Sequence, residues 1–415
     1  MSGVQQAVIL CGGRGERLKP LTDTMPKPMA PANGRPFLEY IVCQLRDQGV
    51  RRVLLLTGYL GEQISAYFGD GARFGVEIGY SHGPTEWETG KRVWEARALL
   101  EPRFLLLYSD NFTPFDLARL ETFHAERDVA LSLLVHAKSP GNIRVDPDGR
   151  IPAYDSSRQA EGLDYVEIGY MLAERERTLA ALTEPDASFS RVLRRLAADG
   201  QLAGQVSGDA YHSVSDPARW KLAERYLAPK KILLVDRDGT LNERAPRGEY
   251  VSRWEDVRLI EPTVDALAEL AADGFRFVLI SNQAGIARGM VSAAAVDDIN
   301  ARIAEHLKAR GAEVIGTYVC PHHWDEGCDC RKPAPGLFFR AARDHLIRLD
   351  RTIYVGDDPR DAEAARNALS ECVLIGPERD LPGAGGVRPN FASETLPGAV
   401  AWIKSRFDAW ANTGV

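Results

Sequence analysis

The chain lacks any apolar run of the roughly 18 to 20 residues that a membrane span requires. Its opening segment, Met1 to Cys11, has no basic residue and an apolar stretch confined to residues 7–11, so no secretory leader is expected. A basic surplus is missing too. Lys and Arg number 51 against 58 Asp and Glu, a formal charge of −7, which argues against a nucleic-acid partner. Phosphorylated small molecules stay open, because a few local Lys and Arg suffice for them. Internal repeats and low-complexity segments are absent. Cysteine is sparse, six in 415 residues, and unevenly placed. Cys11, Cys43 and Cys372 stand apart, whereas Cys320, Cys328 and Cys330 crowd into eleven residues with His322. That clustering suggests a metal loop rather than a disulfide framework. A reducing cytoplasm fits such usage, and no membrane partner is expected.

What the chain does have is length for two domains, each able to bury its own core. In two places, residues 7–22 and 230–240, an apolar strand runs into a glycine- or aspartate-bearing loop. Each opens a series of β-rich runs alternating with amphipathic stretches, the pattern of a parallel sheet covered by helices. Strands are expected near 7–10, 52–56, 104–107 and 129–135, then near 232–235, 275–280, 314–319, 352–355 and 372–375. Helices are expected near 36–48, 90–100, 116–125, 217–227, 263–272, 293–310 and 336–346. Pro229 punctuates the end of the 217–227 helix, which divides the α/β chain into domains 1–228 and 229–415.

In the second domain the first strand ends in Asp236-Arg237-Asp238-Gly239-Thr240. Reactive groups of an open parallel sheet collect past the carboxyl ends of its strands. Two aspartates at i and i+2 there can divide the labour: one attacks phosphorus, the other shuttles a proton. A lone pair of this kind is more often a solvated turn. Three further strand ends change the balance. Ser281-Asn282 offers a hydroxyl, Arg331-Lys332-Pro333 offers positive charge, and Gly356-Asp357-Asp358 offers a carboxylate for Mg²⁺. The spacing between these elements leaves no room for a large cap domain.

This order of elements resembles the haloacid dehalogenase (HAD) superfamily, and more narrowly its heptose bisphosphate and histidinol phosphatases. The stretch from Ser281-Asn282-Gln283 to Arg288-Gly289, and Cys320-Pro321-His322-His323, carry the narrower likeness. The resemblance spans about residues 231–374 and implies a capless Rossmann-like domain. It implies Asp236 as nucleophile, Asp238 as acid/base and, through its backbone carbonyl, a metal contact. It implies Ser281 and Lys332 as phosphoryl clamps and Asp357 as a Mg²⁺ ligand. Asn282, Arg288 and Arg331 would face the substrate. Asp361 would support the metal or Lys332. Asp358 stands where heptose phosphatases usually carry Lys, which loosens the choice of sugar but not of reaction.

Cys320, His322, Cys328 and Cys330 read as C-x-H-x5-C-x-C, three thiolates and an imidazole suited to tetrahedral Zn²⁺. With all four positions filled by protein, such an ion is structural, and it fixes a loop that runs into Arg331-Lys332. Surface cysteines or a redox pair are the plainer alternatives, and His323 is the alternative ligand.

The first domain opens with Cys11-Gly12-Gly13-Arg14-Gly15-Glu16-Arg17 after its first strand. Glycines let backbone N–H groups approach phosphates, and Arg17 adds charge. No GK[ST] ends the loop, and Leu18-Lys19-Pro20 interrupts the helix start, so neither a Walker loop nor a dinucleotide fingerprint is present. With Pro26-Lys27-Pro28, Thr57-Gly58-Tyr59 and Tyr108-Ser109-Asp110, the run resembles the sugar-1-phosphate nucleotidyltransferases, especially those making GDP-mannose or GDP-heptose. The likeness covers about residues 6–226 and implies a Rossmann-like, GT-A-like domain. It implies that Leu10, Gly12, Gly13 and Arg17 hold a nucleoside triphosphate, Lys27 a phosphate in the transfer step, and Asp110 Mg²⁺.

Departures from that pattern are several. Ser213 takes the place of a second metal carboxylate, for which Asp209 is a candidate substitute. Glu88 replaces a glycine that the base normally passes, and its carboxylate suits guanine N1–H and N2–H, so GTP is favoured. Ser156-Ser157 replaces a Glu-Lys pair, with Arg158 adjacent, and Glu167 lines the sugar pocket. Two readings follow: an active transferase with a variant pocket, or a domain that binds a sugar nucleotide without turnover. The whole chain is thus expected to dephosphorylate a sugar bisphosphate such as heptose 1,7-bisphosphate and activate the product as GDP-heptose. A phosphatase with a silent nucleotide-binding domain, or of the histidinol phosphate type, is the alternative. Self-association is left open.

Overall fold

The computed structural model describes residues 3–183, 187–246, 248–377 and 386–412. They form two compact units, one up to Ala228 and the other from Pro229 onward. Among the described residues no helix is long and apolar enough to cross a membrane.

Four parallel strands carry the first unit, in the order Glu77–His82, Arg52–Thr57, Gln6–Cys11, Arg103–Tyr108. Gln6–Cys11 is buried along its whole length, as a parallel strand covered on both faces must be. One apolar cluster joins Val8, Leu10, Leu54, Leu106 and Met171 to Phe189, Val192, Leu193 and Leu196 of the helix Phe189–Ala198. Beyond Arg103–Tyr108 the sheet departs from the expected parallel arrangement. Tyr165–Glu174 runs antiparallel to it, and antiparallel again to Leu131–Ala137. The cause lies in residues 138–164, which hold two short paired strands, Ile143–Arg144 and Ala153–Tyr154, and no helix. Without a crossover helix the chain returns in the opposite direction and slots between two strands that point the same way. The expected helix near 90–100 is shorter: Thr89–Glu95 ends, and a 3₁₀ turn, Arg97–Leu99, follows.

Among the described residues the second unit has six strands, all parallel, in the order Val314–Cys320, Arg276–Asn282, Ile232–Val235, Ile353–Gly356, Glu371–Ile375, Phe391–Ser393. Numbered along the chain this is 3-2-1-4-5-6, so the order reverses between Ile232–Val235 and Ile353–Gly356. That switch point is where open α/β sheets place a ligand. In the first unit the matching point lies between Gln6–Cys11 and Arg103–Tyr108. The helices Glu261–Ala272, Ala293–Ala309 and Val400–Asn412 cover one face of the second sheet; Gly336–His345 and Pro359–Asn367 cover the other.

Candidate active sites

In the second unit, Asp236 follows Ile232–Val235 and Asp357 follows Ile353–Gly356, across the switch point from each other. Lys332 sits between them, only 4% exposed. Its Nζ lies 2.8 Å from Asp236 Oδ1, 2.8 Å from Asp361 Oδ1 and 2.6 Å from the Tyr354 hydroxyl. Burial opposes the ammonium charge, yet Asp236 and Asp361 outweigh it and hold Lys332 above its ordinary value. The Asp236 carboxyl is pushed up by burial, pulled down by Lys332 and pushed up again by Asp361 and Asp357; the net direction is upward. Burial likewise raises Asp357 to about 6, against the pull of Arg244 at 2.9 Å.

Asp236, Asp357 and Asp361 each bring a carboxylate oxygen within 4.8 Å of the others. Three carboxylates, two buried and Asp357 half-buried, against Lys332 and Arg244 leave a net negative charge that suits a divalent cation. The three are not equivalent. Asp361 already accepts from Lys332 and Tyr354 on Oδ1, and from the amides of Asp357 and Asp358 at 3.1 and 3.0 Å on Oδ2. Its oxygens are taken, which makes it a support, and Asp236 and Asp357 have the freer lone pairs. Gly239 permits this approach: its φ is +97°, and a Cβ there would lie 2.0 Å from Asp357 Oδ2.

Asp238 turns the other way. Its carboxylate accepts from Arg237 at 2.9 and 3.0 Å, from Gln283 at 2.6 Å and from Asn242 at 2.9 Å. Burial works against the charge, but Arg237, Asn242 and Gln283 together lower its pKa. Only its backbone carbonyl, which accepts from Arg244 at 3.2 Å, is free of that cluster. Gln283 also donates to Ser281 Oγ at 2.8 Å. A cavity of about 290 Å³ joins Asp236, Asp238, Ser281, Asn282, Arg331 and Lys332, and is walled by Arg244, Tyr250, Asp358 and Arg360. Asn282 and Lys332 exchange two hydrogen bonds of 3.1 Å between the Asn282 side chain and the Lys332 backbone, so Asn282 fixes the lysine as well as facing the cavity. Arg288 does not line this cavity; it lies between Tyr250 and Trp324. Asp358 caps the helix Pro359–Asn367 and pairs with Arg360 at 2.8 Å, which holds its carboxyl well below the usual range.

Cys320, His322, Cys328 and Cys330 converge. Sulfur–sulfur separations are 3.7 Å (Cys320 to Cys328) and 3.6 Å (Cys330 to Cys328); His322 Nδ1 lies 3.7 Å from Cys320 Sγ and 3.2 Å from Cys330 Sγ. Metal–sulfur bonds of about 2.3 Å at tetrahedral angles put neighbouring sulfurs about 3.8 Å apart. The donors therefore fit one four-coordinate ion. His323 points away, to Asp325.

In the first unit a cavity of about 780 Å³ lies at the switch point. Leu10, Gly12, Gly13, Arg17, Lys27, Glu88, Asp110, Arg158 and Glu167 all line it. Lys27 pairs with Asp110. Glu88 precedes the helix Thr89–Glu95, but its side chain makes no cap and stays exposed. Ser213 pairs with Asn111 in a two-residue bridge, and Val214 N donates to Asp110 O at 3.0 Å. That register places Ser213 and Asp216 on the cavity wall, while Asp209 is not part of it.

The sequence matches the nucleotidyl transferase family over residues 6–271 and the polynucleotide kinase 3 phosphatase family over residues 231–371. A D-glycero-beta-D-manno-heptose-1,7-bisphosphate 7-phosphatase of Pseudomonas putida is 38% identical over 145 residues, 35% of this chain and 82% of that one. The Pasteurella multocida protein of the same name is 33% identical over 186 residues, 42% of this chain and 100% of that one. The chain belongs to the nucleotidyl transferases and, through its second unit, to these phosphatases. It is therefore both a nucleotidyltransferase and a phosphoric-ester hydrolase by family. A B. bronchiseptica D,D-heptose 1.7-bisphosphate phosphatase, solved with magnesium and phosphate, is 29% identical, covering 42% of this chain and 98% of that one, with a TM-score of 0.40.

Several residues of the transferase cavity went unread in the sequence. Arg92 is 4% exposed and donates to the carbonyls of Thr57 (2.7 Å), Pro84 (2.7 Å) and Gly12 (3.3 Å), tying three loops together. It explains Gly12, since a Cβ there would lie 2.1 Å from Arg92 Cζ. Arg219 and Asp216 also line the cavity. The Asp-Pro cap of the helix Pro217–Leu227 was a legible signal for Asp216; its direction was not.

Glu167 keeps one oxygen on the Tyr154 hydroxyl at 2.9 Å, while its buried Oε2 has no partner among the described residues. Burial raises its carboxyl to about 7. A carboxyl raised on folding holds its proton longer in the folded chain, so stability falls as pH rises from about 4.5 towards 7. Glu167→Gln is expected to flatten that slope and raise the unfolding temperature at pH 8; an unchanged pH profile of thermal unfolding would contradict it. Cys328→Ser, which removes one of four donors, is expected to lower both bound metal, measured by elemental analysis, and the unfolding temperature of the phosphatase unit. Full metal content in that variant would count against the four-donor site.

Proposed function

We propose that the chain removes the 7-phosphate of D-glycero-D-manno-heptose 1,7-bisphosphate and converts the remaining sugar 1-phosphate to a nucleotide sugar, with GTP as the favoured donor. The observation that carries the first step is the buried Lys332 held between Asp236 and Asp361, in a unit that covers 82% of a phosphatase named for this substrate. Asp236 and Asp357, with the Asp238 carbonyl, would hold Mg²⁺, which supplies charge neutralisation at the phosphoryl oxygens.

Asp236 Oδ forms a bond to phosphorus as the bond from phosphorus to the sugar oxygen breaks. Lys332 and Ser281 hold the phosphoryl oxygens, and Asp238 supplies a proton to the departing sugar oxygen. Water then attacks the aspartyl phosphate, returns a proton to Asp238 and releases phosphate. Asp238 is ionised on Arg237 as it stands, so the carboxyl must leave that partner to carry the proton. The Cys320–His322–Cys328–Cys330 loop is read as a Zn²⁺ staple that fixes the approach to Lys332.

In the transferase unit the sugar phosphate oxygen attacks the α-phosphorus and pyrophosphate leaves. Arg17, Lys27 and the Gly12-Gly13 amides position the triphosphate, and Asp110 is the residue for Mg²⁺ there. Arg158 and Glu167 face the sugar phosphate, and Glu88 faces the base.

Incubation with heptose 1,7-bisphosphate, Mg²⁺ and each nucleoside triphosphate is expected to yield phosphate, pyrophosphate and GDP-heptose, identified by mass. Asp236→Asn should abolish phosphate release, by at least about 10³-fold. Phosphate release without pyrophosphate would leave only a nucleotide-binding first unit. Glu88→Gln should erode the preference for GTP over ATP by about tenfold, the worth of one charge-assisted hydrogen bond; an intact preference would remove Glu88 from base recognition.

A further inference from the structure

Arg244 holds two of the three groups that the phosphatase site offers to Mg²⁺. Its Nη2 lies 2.9 Å from Asp357 Oδ2, and its Nε donates to the Asp238 carbonyl at 3.2 Å. The same Nη2 is 3.5 Å from Asp358 Oδ2, a second acceptor beside the first. Gly239 makes room for the contact, since a Cβ there would lie 2.5 Å from Arg244 Nε. The backbone on the near side of Arg244 is pinned: Gly239 N donates to Asn242 O at 2.7 Å, and Glu243 N to Arg258 O at 2.8 Å. The side chain is freer. It is 47% exposed and borders two cavities, the catalytic one of about 290 Å³ and a neighbour of about 610 Å³ lined by Gly239 and Asp357. Asp358 borders both as well. Two Arg360 N–H donors at 2.8 Å and its cap on the helix Pro359–Asn367 fix Asp358 in place.

Two positive charges on one carboxylate oxygen repel each other, and Mg²⁺ takes its oxygens at about 2.0–2.1 Å. Arg244 and the ion therefore compete for Asp357 and the Asp238 carbonyl, and whatever Arg244 gains there is subtracted from ion affinity. A guanidinium that gives up Asp357 still has Asp358 as acceptor and open space on either side, so leaving strands no charge. We propose that Arg244 is a tethered competitor for the Mg²⁺ site. It rests on Asp357 and the Asp238 carbonyl, passes to Asp358 when the ion binds, and so sets the Mg²⁺ concentration at which the phosphatase becomes active. In this role Arg244 is a positioning residue, because it acts through Asp357. The inference rests on the assignment of Asp236, Asp357 and the Asp238 carbonyl to Mg²⁺ above.

The test is Mg²⁺ binding to the full chain by titration calorimetry, without substrate. Asp357→Asn identifies the heat that belongs to this site. Arg244→Ala and Arg244→Gln both remove the charge, and each is expected to tighten that binding about fivefold. Asp358→Asn removes the second acceptor and is expected to weaken binding about threefold in the parent chain. Combined with Arg244→Ala, the same substitution should have a smaller effect. Mg²⁺ activation of p-nitrophenyl phosphate hydrolysis should move to lower concentration in both Arg244 variants by the factor that calorimetry gives. Unchanged or weaker binding in the Arg244 variants overturns the competitor role. An Asp358→Asn effect of equal size in both backgrounds overturns the passage to Asp358. An Asp357→Asn chain that loses no Mg²⁺ heat overturns the metal assignment itself.

Discussion

One buried ammonium organises the phosphatase unit. Lys332 has almost no contact with water, and an ion in that position is tolerated only with opposite charge and hydrogen bonds on every side. Asp236, Asp361 and the Tyr354 hydroxyl meet that demand, and Asn282 locks the backbone that delivers the lysine. The same contacts draw together the ends of three separate strands. Removing Lys332 leaves Asp236 and Asp361 uncompensated in a buried site, so the geometry for phosphoryl transfer and the electrostatics of the fold are one arrangement.

The transferase unit reaches a comparable result with a cation that touches only carbonyls. Arg92 gathers the loops after two strands and the segment before its own helix, and the cavity opens where the strand order reverses. Both units therefore place their chemistry at a switch point, but one fixes it by ion pairing and the other by main-chain acceptance.

Much of this was legible in the sequence because its signals are local. Apolar runs gave most of the parallel strands, though not Glu77–His82 or Phe391–Ser393, and proline and aspartate marked helix starts; the aspartate and serine elements fell at strand ends, whereas Lys332 lies in the loop beyond the strand that ends at Cys320. Cys320 to Cys330 was legible because spacing alone decides whether four donors can meet. Illegible were the features set by long-range return of the chain. Tyr165–Glu174 was not among the expected strands, and the helix-free segment before it sets its direction. The saturation of Asp361, the turning of Asp238 towards Arg237 and the reach of Arg92 all depend on partners dozens of residues away. Arg288, expected to face the substrate, lies between the rings of Tyr250 and Trp324 beyond the residues that line the cavity.

The metal loop also divides the chain's chemistry by its tolerance of oxidants. Without an ion to bind them, the sulfurs of Cys320, Cys328 and Cys330, with Cys328 3.7 and 3.6 Å from the other two, could join two at a time as one disulfide under an oxidant, and the loop that leads to Lys332 would lose its anchor. Cys11, beside the nucleotide cavity, is sealed by burial that pushes its thiol up to about 12, so almost no thiolate exists there to react. Peroxide should thus reach the sulfur loop of the second unit before it reaches Cys11 of the first.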